Sequence, residues 1–85
     1  MTEAATAPTR LEELRHITAE VLELDPEEIA DDADFVEAYG ADSLRAIELL
    51  ARIEKRYKLE IPQSELPNMQ SLAATYHLVS RYADW

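Results

Sequence analysis

Apolar residues recur at helical spacing from Ser43 to Tyr57, directly after the only glycine of the chain, Gly40. Glycine permits a sharp reversal of the backbone, and Asp42 can accept hydrogen bonds from the free amides of a starting helix. The spacing therefore predicts a tight turn followed by a capped helix with Ser43 in its first turn. The inward face of this helix is predicted to carry Ala46, Leu49, Leu50, Ile53 and Tyr57.

The same helical periodicity appears before and after this segment. Thr9 and Glu12 match a capping box, and the apolar residues that follow predict a helix over residues 10–24. Ser71 is expected to cap a last helix, and residues 63–66 predict a short one that ends at Pro67. Tyr76, Tyr82 and other apolar residues of the last helix are assigned to the core, while Trp85 is consistent with either a packed or a free end.

A long connection over residues 30–42 separates the first two main helices, after a single turn that Pro26 begins. Phe35 and Tyr39 are expected to anchor this connection to the core. Its acidic residues are interpreted as a solvated loop, because the glycine and the distal glutamate of a calcium-binding loop are missing. These acidic residues are Asp31, Asp32 and Asp34.

Size and charge limit what the chain can do. Its 85 residues suit one domain, expected over residues 8–84 after a flexible leader of residues 1–7. The net charge of −10 argues against nucleic acid, and no apolar run is long enough for a membrane span. Because the chain has no cysteine, it has neither a disulfide framework nor a cysteine metal site, which favours the cytoplasm. We also expect a monomer without a metal site of any other kind.

Ser43 has two interpretations when its own surroundings are considered alone. Asp42 and Ser43 are common helix caps, and a capping role explains them fully. Alternatively, Ser43 accepts a phosphate-linked group, which the positive end of the helix dipole would stabilise. No base is placed beside the serine, and His16 and His77 fall on polar helix faces. A modified Ser43 therefore requires another enzyme to activate it.

The surrounding motif resembles the phosphopantetheine attachment signature of acyl carrier proteins. The matching residues are Gly40, Ala41, Asp42, Ser43, Leu44, Ile47, Glu48, Leu49 and Leu50, and the resemblance extends over residues 11–79. It implies an all-α, four-helix acyl-carrier fold with three main helices and a short third helix. It also implies that Ser43 bears 4′-phosphopantetheine, transferred from coenzyme A by a phosphopantetheinyl transferase, whose thiol holds acyl groups as thioesters. The chain would then be a carrier and not an enzyme.

Further roles follow from the resemblance. Asp42 matches a residue that the transferase recognises, and partner enzymes would contact a surface comprising Leu44, Arg45, Ile47, Glu48 and Ala51. These partners include a ketosynthase, an acyltransferase or acyl-loading enzyme, and tailoring enzymes. The second main helix is strongly acidic in carriers of fatty acid synthesis. In this chain the same helix also carries four basic residues, Arg45, Arg52, Lys55 and Arg56. This departure favours polyketide or other specialised acyl biosynthesis.

The acyl chain and the pathway remain open at this point. Candidates for an acyl cavity, chosen by apolar position, are Leu50, Ile53, Leu59, Ile61 and Met69. A fatty acid synthesis carrier and an aminoacyl or peptidyl carrier are alternatives, although Asp42 disfavours the latter because a histidine more often precedes its serine. A third alternative is an unmodified helical module that binds partners through Leu44 and Ile47.

Overall fold

The computed structural model describes residues 9–85, and every regular element in that range is helical. The main elements are α1 (Arg10–Leu22), α2 (Phe35–Tyr39), α3 (Ser43–Tyr57) and α4 (Leu72–Ala83), with 3₁₀ helices at Pro26–Glu28 and Gln63–Asn68. The all-α prediction is therefore confirmed. The expected leader, residues 1–7, lies outside the described residues, and the domain boundaries stay a prediction.

Local caps start the long helices as the sequence predicts. The Thr9 side chain accepts the Glu12 N–H at 3.2 Å, and that of Ser71 accepts the Ala74 N–H at 3.1 Å. These bonds satisfy amides that have no partner within the first turn of a helix.

The end of α1 differs from the prediction. The helix stops at Leu22 instead of residue 24, because Glu23 adopts a left-handed conformation with φ 60°. The N–H of Leu24 then bonds back to the Ala19 carbonyl at 2.9 Å, which closes the helix end and turns the Leu24 side chain toward the core.

The predicted long connection contains a helix that the sequence interpretation missed. Asp34 caps α2 by accepting the amides of Val36 and Glu37 at 2.9 and 3.1 Å. Both predicted anchors are confirmed, since Phe35 is buried and the Tyr39 hydroxyl accepts the Ala30 N–H at 2.8 Å. The connection is thus an ordered wall of the fold.

Arg15 holds the acidic start of this connection against α1. Its guanidinium bonds to the carboxylates of Glu12 (3.0 Å) and Asp31 (2.5 Å), and also to the Ile29 carbonyl. The hydrogen bond to Glu12 raises the pKa of Arg15 further, so the charge is permanent. Within residues 9–85 no three acidic or histidine side chains are grouped to hold a metal ion.

The short third helix is longer than predicted. It runs from Gln63 to Asn68 as a 3₁₀ helix and includes Pro67, which was expected to end it. A proline removes one N–H donor, but each 3₁₀ turn closes through its own bond. The Met69 N–H, for example, still reaches the Leu66 carbonyl at 3.0 Å.

The core lies between α1 and the two helices that pack on it, α3 and α4. Leu14 of α1, Ile53 of α3, and Leu72 and Val79 of α4 have no exposed surface. Within residues 9–85, none of the helices combines the length and the apolar character that crossing a bilayer requires.

Aromatic rings join the ends of α1, α3 and α4. Trp85 packs edge-on against Tyr57, with ring centroids 5.0 Å apart, and lies 5.9 Å from the ring of Tyr76. Trp85 therefore packs against other rings on one side while 36% of its surface stays exposed. Tyr82 was assigned to the core but is 38% exposed, because its hydroxyl turns outward to donate to the Glu65 carboxylate at 2.8 Å.

Replacing Tyr57 by phenylalanine tests how α3 is tied to α1. The Tyr57 hydroxyl donates to the Glu13 carboxylate at 2.9 Å, and burial raises the pKa of Tyr57 to about 12. Losing this bond should lower the free energy of unfolding by about 1 kcal/mol at neutral pH. The bond also lowers the pKa of Glu13 from its usual 4.5, so its contribution is present above that value and declines as the pH falls through the folded pKa. Urea unfolding at several pH values should show wild type and variant converging on acidification.

Tyr82→Phe is the matched control, since it removes the hydroxyl of a more exposed tyrosine that also donates to a glutamate. Its effect on stability should be smaller. Equal losses for the two variants, or a Tyr57→Phe deficit that stays constant in acid, would contradict this account.

Candidate functional site

A three-residue turn delivers Ser43 to the surface. Gly40 ends α2 with φ 69°, and its N–H bonds to the Val36 carbonyl at 2.9 Å. The Asp42 side chain then caps α3 by accepting the Arg45 N–H at 2.9 Å. As a result Ser43 is the first residue of α3 and is exposed.

The electrostatic setting of Ser43 suits an attached anion. The first amides of a helix have no partner within that helix, and they give its start a partial positive charge. The Asp42 cap satisfies the Arg45 amide, and the Asp42 carbonyl accepts the Ala46 N–H at 3.1 Å. Ser43 itself is exposed, so its hydroxyl is open to an incoming group. A phosphodiester on the Ser43 hydroxyl fits this end of the helix.

A cavity of about 480 Å³ opens next to Ser43, which forms part of its wall. The wall comes from α1, α2, α3 and the 3₁₀ helix at Gln63–Asn68, and it includes Thr18, Val21, Phe35, Leu49, Leu66 and Met69. No histidine of the described chain lines it: both His16 and His77 are exposed on their helices.

The structure separates the five residues proposed for an acyl cavity. Met69 lines the cavity beside Ser43, whereas Leu50, Ile53 and Ile61 are buried within the closed core and Leu59 packs against it. An apolar position in the sequence cannot show whether a residue lines a cavity or fills the closed core, because hydrophobic residues occur in both places. Sequence reasoning missed Thr18 and Leu66 as wall residues; their inward helical spacing was the only available signal.

The proposed partner surface is partly apolar and accessible. Leu44 is 71% exposed and Ile47 is 38% exposed, while Ala51 is exposed and Glu48 half-buried on the same helix. Val36 of α2, 62% exposed, was not foreseen because its segment was treated as a loop. The partner role of these residues stays a prediction.

Two of the three arginines of α3, Arg45 and Arg52, are turned toward α1 and the residue that follows it. Arg45 donates to the Val21 carbonyl at 2.7 Å and pairs with Glu23 at 3.1 Å. Arg52 pairs with Glu20 at 3.0 Å. Such exposed ion pairs add little stability, but Glu20 of α1 and Glu23, directly after it, offset both positive charges. Arg45 also satisfies a carbonyl at the end of α1.

These features describe a small helical bundle that presents one exposed serine at a helix start, beside an apolar cavity. Residues 12–79 match the family model described as "Phosphopantetheine attachment site". The chain is 42% identical over 80 residues to polyketide-8 synthase acyl carrier protein 2 of Streptomyces avermitilis, across 94% of this chain and 92% of that protein. It is 34% identical over 73 residues to the acyl carrier protein of Wolinella succinogenes, across 86% of this chain and 91% of that protein.

A solved structure agrees with the sequence comparisons. One chain of "The ishigamide ketosynthase/chain length factor" superposes with a TM-score of 0.78 at 37% identity, across 93% of this chain and 100% of that chain. The present chain belongs to the acyl carrier protein family. It is therefore a non-catalytic carrier with the acyl-carrier fold, and its prosthetic group is covalent 4′-phosphopantetheine.

Substituting Gly40 tests the turn that presents Ser43. Gly40→Ala should destabilise the protein by about 1 kcal/mol, because φ 69° is strained for a residue with a β-carbon although the space is open. Gly40→Asn should cost less, since asparagine adopts the left-handed region more readily. Urea unfolding of the three proteins measures both effects, and an alanine variant as stable as wild type would contradict the expected strain.

Proposed function

We propose that the chain is an acyl carrier of polyketide biosynthesis and that the Ser43 hydroxyl is the attachment point of its 4′-phosphopantetheine. The observation that carries the assignment of the site is the position of Ser43 as the exposed first residue of α3, behind the Gly40 turn and the Asp42 cap. Ser71 also lies at a helix start, but it is half-buried and its hydroxyl oxygen is engaged in capping α4.

Attachment requires a second enzyme. A phosphopantetheinyl transferase would remove the Ser43 hydroxyl proton, and Oγ would attack the phosphate that carries the pantetheine arm of coenzyme A. The bond between Oγ and phosphorus forms as the pyrophosphate linkage breaks, and adenosine 3′,5′-bisphosphate leaves. The helix start stabilises the resulting phosphodiester. The arm's terminal thiol can then hold an acyl group as a thioester.

Mass spectrometry tests the attachment site. Incubation with coenzyme A and a broad-specificity phosphopantetheinyl transferase should add one phosphopantetheine to the wild-type chain and none to Ser43→Ala. Ser64→Ala is the matched control, because Ser64 is also exposed but lies in a 3₁₀ helix, and this variant should be modified fully. Modification that survives Ser43→Ala would reject Ser43 as the site, and an unmodified wild type would favour the interaction-module alternative.

The polyketide assignment is supported by similarity. Both polyketide-8 synthase acyl carrier proteins of S. avermitilis are 42% identical to this chain, compared with 34% for the W. succinogenes acyl carrier protein. A fatty acid synthesis carrier remains the second candidate, favoured by relatives named simply acyl carrier protein. Comparing how fast a polyketide ketosynthase and a fatty acid ketosynthase accept the loaded chain separates the two.

The partners we propose are the transferase, a ketosynthase, an acyltransferase or acyl-loading enzyme, and tailoring enzymes, all meeting the carrier in the cytoplasm. Leu44 and Ile47 are the apolar anchors available for them beside Ser43. Acidic groups around the site favour partners with basic surfaces, and these groups include Asp34, Glu37 and Asp42.

Truncating Leu44 tests the docking surface. Leu44→Ala should lower the kcat/KM of the transferase for the carrier about tenfold, mainly through KM, because a side chain that docking would bury is lost. Its thermal unfolding should change little, since Leu44 is 71% exposed. Lys55→Ala, in the last turn of the same helix, is the control and should behave as wild type. Unchanged kinetics for Leu44→Ala would remove this residue from the interface.

A further inference from the structure

Thr18 is a buried polar residue in the wall of the cavity beside Ser43. Its exposed fraction is 0%, and its Oγ1 has no hydrogen-bond partner within residues 9–85. Buried hydroxyls in folded proteins nearly always have a partner, because leaving one unpaired is costly. The hydroxyl of Thr18 therefore calls for a partner from outside the described chain.

Thr75 shows how a buried threonine is usually satisfied. It is the other fully buried polar side chain among residues 9–85, and its Oγ1 donates to the Ser71 carbonyl one turn earlier at 2.8 Å. Thr18, in the middle of α1, makes no such bond. The difference lies in the surroundings, because Thr18 lines the cavity and Thr75 does not.

The other polar side chains that line the cavity lie toward its exposed rim and several are already engaged. Asp34 caps α2, Asp42 caps α3, and Arg45 bonds to the end of α1. The interior wall is formed mainly by apolar residues such as Phe35 and Leu49. A chain that enters thus meets a mainly apolar wall in which Thr18 is the one fully buried polar residue.

We propose that the Thr18 hydroxyl donates a hydrogen bond to a ketone oxygen of the acyl chain when the chain tethered at Ser43 enters this cavity. This inference rests on the proposed function, because the chain must first be attached at Ser43. A saturated chain beside Thr18 would leave its hydroxyl unpaired, whereas a ketone oxygen would supply the missing acceptor. The pantetheine arm, rich in amide groups, is less suited to a mainly apolar wall. Thr18 is thus a specificity residue that favours ketone-bearing acyl groups.

The test compares matched chains on the intact protein. Ser43 is loaded through a stable amide linkage with pantetheine bearing hexanoyl, 3-oxohexanoyl or 5-oxohexanoyl groups, and with the arm alone. Mass spectrometry confirms each loading. NMR then measures the chemical shift of the Thr18 methyl group and the protection of the acyl chain from a paramagnetic solvent probe. Together these give the ratio of buried to exposed acyl chain.

At least one ketone chain should be buried about tenfold more than the saturated chain in the wild type. Thr18→Val, which keeps the shape but not the hydroxyl, should remove this preference, and Thr18→Ser should keep it. Thr75→Val is the matched control: it removes a satisfied buried hydroxyl and should leave the preference intact, whatever its effect on stability.

Several results would overturn the proposal. The proposal is wrong if the wild type buries ketone and saturated chains equally. It is also wrong if the preference for ketone chains survives Thr18→Val. If the arm without an acyl group shifts the Thr18 methyl signal as strongly as the ketone chains do, the partner of the hydroxyl is the arm. That result rejects a ketone partner. Failure to load Ser43 at all rejects the proposed function and this inference together, whereas normal loading without a preference rejects this inference alone.

Discussion

The packing of α3 against α1 is the interaction on which the rest of the structure depends. Leu49, Leu50 and Ile53 are buried on the inner face of α3, and the same helix begins with Ser43. Because interiors pack densely, these contacts fix the axis of α3 and hence the position of the serine hydroxyl at its start. The exposed serine thus owes its fixed position to the core behind it, and core residues such as Phe35 and Leu49 also form the wall of the cavity beside it. A carrier needs this arrangement, since many enzymes must find the same hydroxyl or arm in the same place.

Charge in this chain serves folding as well as recognition. The net charge is −10, and Arg45 and Arg52 reach from α3 to acidic residues at the end of α1 and directly after it. Their positive charges therefore have a structural cause, which weakens the argument that they are present to select a pathway. What supports the polyketide assignment is similarity along nearly the whole chain. The two lines of reasoning agree on the pathway, but only the second is independent of how α3 packs.

Features that depend on local chemistry could be predicted from the sequence, whereas those that depend on distant contacts could not. Thr9, Asp42 and Ser71 cap helices through bonds three residues away, so their motifs are visible in sequence. The ordered segment before Ser43 is only partly local: Asp34 caps α2 through bonds to nearby amides, but contacts with a distant part of the chain hold the segment in place. The Phe35 N–H donates to the Gln70 carbonyl at 2.7 Å, and the Ala73 N–H donates to the carbonyl of Asp31 at 2.9 Å. The wall of the cavity beside Ser43 likewise joins residues that are far apart in sequence, and of the five residues predicted for an acyl cavity it contains Met69.

The cavity joins two kinds of wall with different resistance to opening. Its α1 and α3 sides belong to long helices whose inner faces form the core, whereas its other sides are the five-residue α2 and the 3₁₀ helix at Gln63–Asn68. Helices this short are marginal alone and are held by a few contacts, such as the bond from Phe35 to Gln70. Moving the short elements would break fewer buried contacts than moving the long helices, so we expect any widening of the cavity to occur at the short elements. Ser43 and Thr18 both lie on the long helices, on the side of the cavity that is expected to move least.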